Sequence, residues 1–291
     1  MPRRLLAPAA CALILGGLAV VIVRRSDRLE RSQPLKGLRP GTVARVELSR
    51  QGAPSVVLER RAGSWRLRGA IDDLAAARPC DELLQSLSEM MIGTEVSKDP
   101  ASYASYDLTE ASATRVRVFT QNSAAPALDA YFGKAALGDD SLYFRKSREK
   151  PVYIEQGVGA GLLGRPADDY RERALFPEDM LPIRSVRLAA GGRTADLKKD
   201  GPEWITAVNL RAADFLAEKL ADAATGLDTP ALVIEAAGPS QHARWLIGKA
   251  RPEKNGKPVY RYARSEARTS VALVSVRDAD ALLKLCNSVR N

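Results

Sequence analysis

The sequence predicts an α+β protein made of two tandem repeated units of mostly antiparallel sheet with covering helices, preceded by one N-terminal transmembrane helix. Two observations carry this prediction: an uncharged apolar run near the N-terminus, and a set of landmarks that occurs twice in the same order. The first set is Val43–Leu48, Trp65, Gly133-Lys134, Tyr143 and Val152–Ile154, and the second is Val186–Leu188, Trp204, Gly248-Lys249, Tyr260 and Val271–Val274.

The apolar run, Leu5–Val23, is bounded by Arg3-Arg4 and Arg24-Arg25. About 20 apolar residues span the hydrocarbon core as a helix. No small residues follow the run at the positions that a signal peptidase requires, so we expect an uncleaved single-pass anchor. Arg3 and Arg4 flank one side and Arg24, Arg25, Arg28 and Arg31 the other, so the positive-inside count alone would hold the body in the cytoplasm. Large following domains can translocate regardless of local charge, so charge alone leaves the orientation open. We assign residues 1–25 to the anchor and 26–41, rich in proline and glycine, to a linker.

The remaining chain divides into a first unit at 42–176 and a second at 177–291. In the first unit, alternation in Val43–Ser49 predicts a half-buried strand, and Pro79 opens a helix that Gly93 closes. A connector, Thr94–Tyr106, leads to four more strands. These are expected at Arg115–Thr120, Leu128–Phe132, Ser141–Lys146 and Val152–Glu155.

The second unit repeats this plan more compactly. We expect Trp204–Thr206 to be a strand and Asn209 to cap a helix that buries Phe215, Leu216 and Leu220. The other strands are expected at Ile183–Leu188, Thr194–Lys198, Ala231–Glu235, Arg244–Ile247, Val259–Tyr262 and Ser270–Val274, before a last helix that carries Cys286.

The formal net charge is +9, but acidic residues interleave with the basic ones and no run of five like charges occurs. Nucleic-acid binding requires a clustered basic face, so we do not expect a nucleic-acid partner. Cys80 and Cys286 lie in apolar helical settings, where cysteine packs as a small hydrophobe. They could pair in an oxidising compartment, although core positions are the expected outcome.

Several motifs resemble catalytic or cofactor sites, but each lacks a required part. Gly159–Gly164 reads GxGxxG, yet Arg165-Pro166 ends any helix after it, so we expect a turn and a short helix. The two Gly-Lys pairs lack the other residues of a phosphate loop and are expected at strand-end turns. His242 is the sole histidine and is expected at the surface. The sequence therefore predicts no enzyme, no cofactor and no metal site.

Three residues remain as candidate contacts for a ligand or partner. Trp65 and Trp204 occupy repeat-equivalent positions and are expected in the core. Trp245 has no counterpart in the first unit, so it is the candidate exposed aromatic. Arg171 and Arg173 lie between the units, where they could pair with carboxylates or bind an anionic ligand.

The motifs resemble those of bacterial proteins catalogued as domain of unknown function 4340. The resemblance rests on Trp65, Tyr106-Asp107-Leu108, Tyr131-Phe132-Gly133-Lys134, Tyr143, Val152-Tyr153, Tyr170–Leu175 and Gly226–Pro230. At Asp107 this chain departs from the glycine that is usual in the family. The resemblance implies an envelope protein with one anchor in the bacterial cytoplasmic membrane and its body outside the cytoplasm. Such proteins often accompany ABC-type transporter components, including those linked to gliding motility.

Together these observations predict a non-enzymatic, membrane-tethered scaffold or accessory protein of an ABC-type transporter or envelope complex. Its partners would be the membrane, through residues 5–23, and other envelope proteins. The alternative is a periplasmic receptor that binds a glycan or an anionic solute between the two units.

Overall fold

The computed structural model describes residues 32–69, 72–121, 123–136, 138, 140–177, 182–216, 220–239, 241–253 and 256–288. The predicted anchor at 5–23 and the start of the linker lie outside these residues. Within the described ranges, no helix is long and apolar enough to cross a membrane.

The described chain is mostly antiparallel sheet with a few helices, so the predicted α+β class is confirmed. From the N-terminus, the first group of elements is β1 (Val43–Ser49), β2 (Val56–Arg61), β3 (Ser64–Arg68), β4 (Asp73–Leu74), α1 (Ala77–Glu89), β5 (Met91–Ser97), a 3₁₀ helix (Pro100–Tyr106), β6 (Thr114–Thr120), β7 (Leu128–Ala135), β8 (Ser141–Lys146), β9 (Val152–Gln156) and α2 (Ala160–Leu163).

The later elements follow a 3₁₀ turn at Ala167–Tyr170. They are β10 (Ser185–Ala190), β11 (Arg193–Asp196), α3 (Pro202–Val208), β12 (Ala212–Phe215), α4 (Asp222–Thr225), β13 (Leu232–Ala237), β14 (His242–Ala250), β15 (Tyr260–Ser265), β16 (Ala272–Ser275) and α5 (Val276–Ser288).

Residue contacts divide the chain into two compact units. One comprises Met1–Ser55 and Glu82–Arg165, and the other comprises Val56–Asp81 and Pro166–Asn291. The expected limits, 42–176 and 177–291, follow the duplication in the sequence. The contacts instead group the ribbon β2–β3–β4 with the second unit.

The duplication is visible in the strand order of each unit. In the first unit the order is β1-β6-β7-β8-β9-β5, and in the second it is β10-β13-β14-β15-β16-β12, with β11 beyond β10. In both orders of six strands, the strand that comes first in the sequence lies at one end, the second lies at the other end, and the remaining four follow in sequence order between them. Each unit also starts alike, because Ser32 bridges to Ile92 on β5 and Ala174 bridges to Arg211 just ahead of β12.

Apolar side chains of the second unit form clusters on both faces of its sheet. The larger one holds Trp204, Trp245 and Leu282, and it includes buried residues of α3 and α5. The smaller one holds Leu227, Tyr262 and Leu273. Tyr262 on β15 and Leu273 on β16 alternate along their strands with residues of the larger cluster. This two-sided burial fixes the register of the sheet.

Several sequence-based expectations about secondary structure are wrong. Trp204 is buried as predicted, but it lies on α3, which Pro202 opens, and not on a strand. Phe215 lies on β12 rather than on a helix. A register shift in that strand buries Ala212 and Phe215, three residues apart, and this spacing resembles that of a helix in the sequence. Gly93 does not close α1; it lies within the unexpected strand β5.

Both Gly-Lys pairs lie within strands, not at strand-end turns. The register shifts at Phe132/Ala135 in β7 and at Ile247/Ala250 in β14, so each pair sits in a bulge. A Cβ on Gly133 would lie 2.0 Å from the Tyr106 carbonyl oxygen, and one on Gly248 would lie 2.2 Å from that of Thr225. In each unit, therefore, a connector passes over the sheet where a side chain cannot fit.

Gly133→Ala should lower the free energy of unfolding by about 1–3 kcal/mol, because a methyl group would have to displace backbone rather than a flexible side chain. Gly161→Ala is the matched control, since its Cβ would meet nothing within 4 Å. Because Gly161 is helical, we expect this control to be neutral or stabilising by roughly 0.5–1 kcal/mol. Urea denaturation measures both, and equal effects would contradict the steric explanation.

Candidate functional sites

In the second unit, Arg171 and Arg173 lie around one aromatic ring. The guanidinium carbons of Arg171 and Arg173 lie 5.2 Å and 5.9 Å from the ring centre of Phe215, and that of Arg268 lies 4.8 Å from it. Arg171 pairs with Asp168, whereas Arg173 donates to the carbonyl oxygen of Ala213. The arginines therefore bind the segment between the repeats to its own unit.

Trp245 also belongs to this region, but the expectation that it is exposed is wrong. Its residue exposure is 2%, and its indole N–H donates to the carbonyl oxygen of Leu175 at 2.7 Å. The guanidinium carbon of Arg268 lies 5.7 Å from its ring centre. The alternation of β14 directs Trp245 into the larger core cluster, so its ring is not a surface for sugar stacking.

Arg268 is the centre of a buried polar network in the same unit. Its Nε donates to Asp73 Oδ1 at 2.7 Å, and the two side chains are 1% and 0% exposed. Ser270 donates to the other carboxylate oxygen of Asp73, and Arg268 Nη1 donates to the carbonyl oxygen of Glu172. The network ties the ribbon that contains β4 to residues near the C-terminus.

An open groove of about 330 Å³ lies beside this network. Its lining residues are Leu246, Arg264, Ser265, Glu266, Arg268 and Thr269. The charged side chains are already engaged, since Arg264 binds Asp222 and Glu266 pairs with Arg244. The Nη2 atom of Arg268 has no hydrogen-bond partner, but it is enclosed by protein.

A second arginine arrangement occurs once in each unit. In the second unit, Arg264 on β15 donates two hydrogen bonds to Asp222 on α4, at 2.7 Å and 2.5 Å. These hydrogen bonds lower the pKa of Asp222. In the first unit, Arg145 on β8 lies between the rings of Tyr103 and Tyr131, with its guanidinium carbon 4.4 Å and 4.0 Å from their centres.

Tyrosines gather around Arg145. Tyr103, Tyr106 and Tyr143 are half-buried and pack against the small apolar cluster that contains Leu108 and Tyr131. The rings of Tyr106 and Tyr143 lie 4.5 Å apart. We call Tyr103, Tyr106, Tyr131, Tyr143 and Arg145 the tyrosine–arginine patch. The composition resembles that of protein interfaces, where tyrosine and arginine are enriched.

Arg145 and Arg268 are not among the site residues that the sequence predicted. Arg145 and Arg264 each follow a tyrosine by two residues, Tyr143 and Tyr262, so the repeat contained the signal. The repeat landmarks Tyr143 and Tyr260 are therefore two residues out of register. The pairing of Phe132 with Phe144 and of Ile247 with Ala263 corrects the alignment.

Glu155 on β9 is a fully buried carboxyl group in the first unit. Burial raises its pKa from 4.5 to about 8, although backbone N–H groups of Val158 and Leu142 act in the opposite direction. Its Oε2 atom is enclosed and has no hydrogen-bond partner. With this pKa, Glu155 is mostly protonated at pH 7.

The remaining motifs have structural positions. The GxGxxG segment forms the short helix α2, as predicted, and His242 is exposed at the start of β14. Within the described ranges, no group of three or more His, Cys, Asp or Glu side chains could hold a metal ion. Cys80 and Cys286 are both buried, so the core positions expected for them are confirmed.

A family model described as "Domain of unknown function (DUF4340)" matches residues 65–230. No curated protein and no solved structure matches the chain.

Asp73→Asn should lower the free energy of unfolding by about 3–5 kcal/mol, because it leaves the Arg268 guanidinium buried without its carboxylate. Asp196→Asn is the control, since it breaks a pair with Arg187 in which both side chains are more than half exposed. An exposed pair contributes little, so the control should unfold at the wild-type denaturant concentration. Equal midpoints for the two variants would contradict the role of the buried network.

Glu155 should make the unfolding free energy depend on pH. Its folded-state pKa is raised, so the folded chain binds the proton more tightly than the unfolded chain does. The stability that this group contributes should be fully present below about pH 4.5, decline as the pH rises, and be lost above about pH 8. Glu155→Gln should remove this decline, as denaturation at a series of pH values would show. If the unfolding free energy of the wild type and of the variant declines equally with pH, Glu155 is not the group responsible.

Proposed function

The chain belongs to this family of unknown function, and from that membership we propose that it is a non-enzymatic, membrane-tethered extracytoplasmic scaffold or accessory protein. Its partners would be subunits of an ABC-type transporter or another envelope complex. Residues 5–23 would hold it in the bacterial cytoplasmic membrane, with the two units outside the cytoplasm.

The observation that carries this proposal is the duplicated strand order. The two units share one strand order, and each has its own apolar clusters and internal ion pairs. Such units are suited to present fixed binding surfaces to other proteins rather than to close around a substrate. The tyrosine–arginine patch supplies one such surface in the first unit. Tethering to a bilayer raises the effective concentration of partner surfaces without requiring strong individual contacts.

A second candidate function is that of a receptor for an anionic solute. The groove beside Arg268 favours it, because a volume of about 330 Å³ is near the lower limit for small-molecule sites. The burial of Trp245 removes the aromatic platform that a glycan receptor would use. The engagement of Arg264 and Glu266 with other side chains makes the scaffold function the better supported of the two.

The tagged chain should stay in the membrane fraction through alkaline carbonate extraction, and after mild solubilisation it should copurify with stoichiometric ABC permease or ATPase subunits. Ile14→Arg places a charge in the middle of the apolar run and is the matched variant. It should release the chain and lose the companions. Extraction of the wild-type chain by carbonate, or its purification without companions, would contradict the proposal.

A further inference from the structure

Arg145 and Arg264 occupy equivalent positions in the two units. Each is paired across the sheet with the residue two places before the bulge glycine, Tyr131 before Gly133 and Leu246 before Gly248. The internal repeat therefore supplies a direct comparison for the surroundings of Arg145.

The connector above each arginine is equivalent as well. It bends at a residue with positive φ, Asp107 at 55° in the first unit and Gly226 at 69° in the second. The residue after the bend donates its backbone N–H five places back, from Leu108 to Tyr103 and from Leu227 to Asp222. By this register, Tyr103 occupies the position of Asp222.

Because Tyr103 stands where the second unit has Asp222, Arg145 has no carboxylate at this position. Asp222 accepts two hydrogen bonds from Arg264, whereas Tyr103 stacks on the Arg145 guanidinium and accepts none from it. Arg145 Nε donates to the carbonyl oxygen of Leu108, and within the described ranges the side chain forms no ion pair. The nearby carboxylate of Glu110 accepts from the Tyr131 hydroxyl instead.

The terminal nitrogens of Arg145 carry the hydrogen-bond donors that the chain leaves unused within the described ranges. The residue is only 7% exposed, but its Nη atoms are not fully enclosed by protein. The stacked tyrosines and the Leu108 carbonyl hold the guanidinium in one orientation. A guanidinium held in place at the edge of a low-dielectric region binds a carboxylate more strongly than a mobile surface arginine does.

We propose that the tyrosine–arginine patch is a docking site for an acidic side chain of a partner protein, whose carboxylate binds Arg145 as Asp222 binds Arg264. The internal repeat indicates the chemistry, because an aspartate is the group that occupies this position in the second unit. The half-buried tyrosines around it favour a protein partner, since tyrosine and arginine dominate the contacts that stabilise protein interfaces. The inference rests on the proposed scaffold function for the identity of the partner.

The test is a titration of the full-length protein in detergent micelles, followed by the nitrogen-15 NMR signals of the arginine side chains. The probe is the peptide acetyl-Gly-Asp-Gly-amide, and its Asn twin is the neutral control. The Asp peptide should shift the Arg145 signals saturably, and the twin should bind at least tenfold more weakly. An equal response to both peptides would overturn the proposal.

Two variants separate the site from general charge effects. Tyr103→Asp restores the aspartate found in the second unit, so it should occupy Arg145 internally and weaken peptide binding at least tenfold while the chain stays folded. Asp222→Asn should leave the Arg145 response unchanged and make Arg264 a second responder. An unaltered Arg145 response in Tyr103→Asp would overturn the assignment.

Free acetate gives the last comparison. If acetate matches the affinity of the Asp peptide, the tyrosines contribute nothing and the site is not a protein-docking site. This titration is independent of copurification. If the peptide binds but no envelope proteins copurify, the docking site stands and the scaffold function is contradicted. If envelope proteins copurify but the peptide does not bind, the scaffold function stands and the docking site is contradicted.

Discussion

The arrangement of each unit depends on a contact between two stretches of backbone. At Gly133 and at Gly248, a connector carbonyl lies where any other residue would carry its side chain. This close approach brings the following leucine, Leu108 or Leu227, into an apolar cluster on that face of the sheet. It also sets the short helix of the connector above the arginine of the neighbouring strand. The tyrosine–arginine patch and the Arg264–Asp222 pair are both consequences of this one steric constraint.

The arginine below the connector has different partners in the two units. In the second unit the arginine is neutralised within the chain, and a separate buried pair, Asp73–Arg268, joins residues that are 195 positions apart. In the first unit the arginine is stacked between aromatic rings, and the nearby ion pairs belong to other strands, such as Arg115 with Asp129. The second unit thus neutralises its arginine with Asp222, whereas the first unit provides no carboxylate for Arg145 within the described ranges.

The local pattern of apolar and polar residues predicted much of the secondary structure, but it did not predict the candidate sites. Alternation in Val43–Ser49 and the apolar spacing of α1 report burial directly, so these elements followed from the sequence. The bulge in β12 gave a strand the spacing of a helix, and the register shift that caused it is not a property of the local sequence. The partners of Arg268 lie at distant positions, and no local pattern joins them. The position of Arg145 was available through the repeat, but only once the two tyrosines were aligned in the correct register.

The bridge between Ser32 and Ile92 has a mechanical consequence. It consists of two backbone hydrogen bonds, of 3.2 Å and 2.8 Å, between the start of the described chain and the outermost strand of its unit. Tension that arrives through the chain ahead of Ser32 therefore loads this bridge before it reaches β1, which lies inside the sheet. The ladder between β1 and β6 follows this bridge along the chain and would be loaded only after the two bonds have opened. The bridge is thus placed to yield first under a pull and to leave the sheet behind it intact.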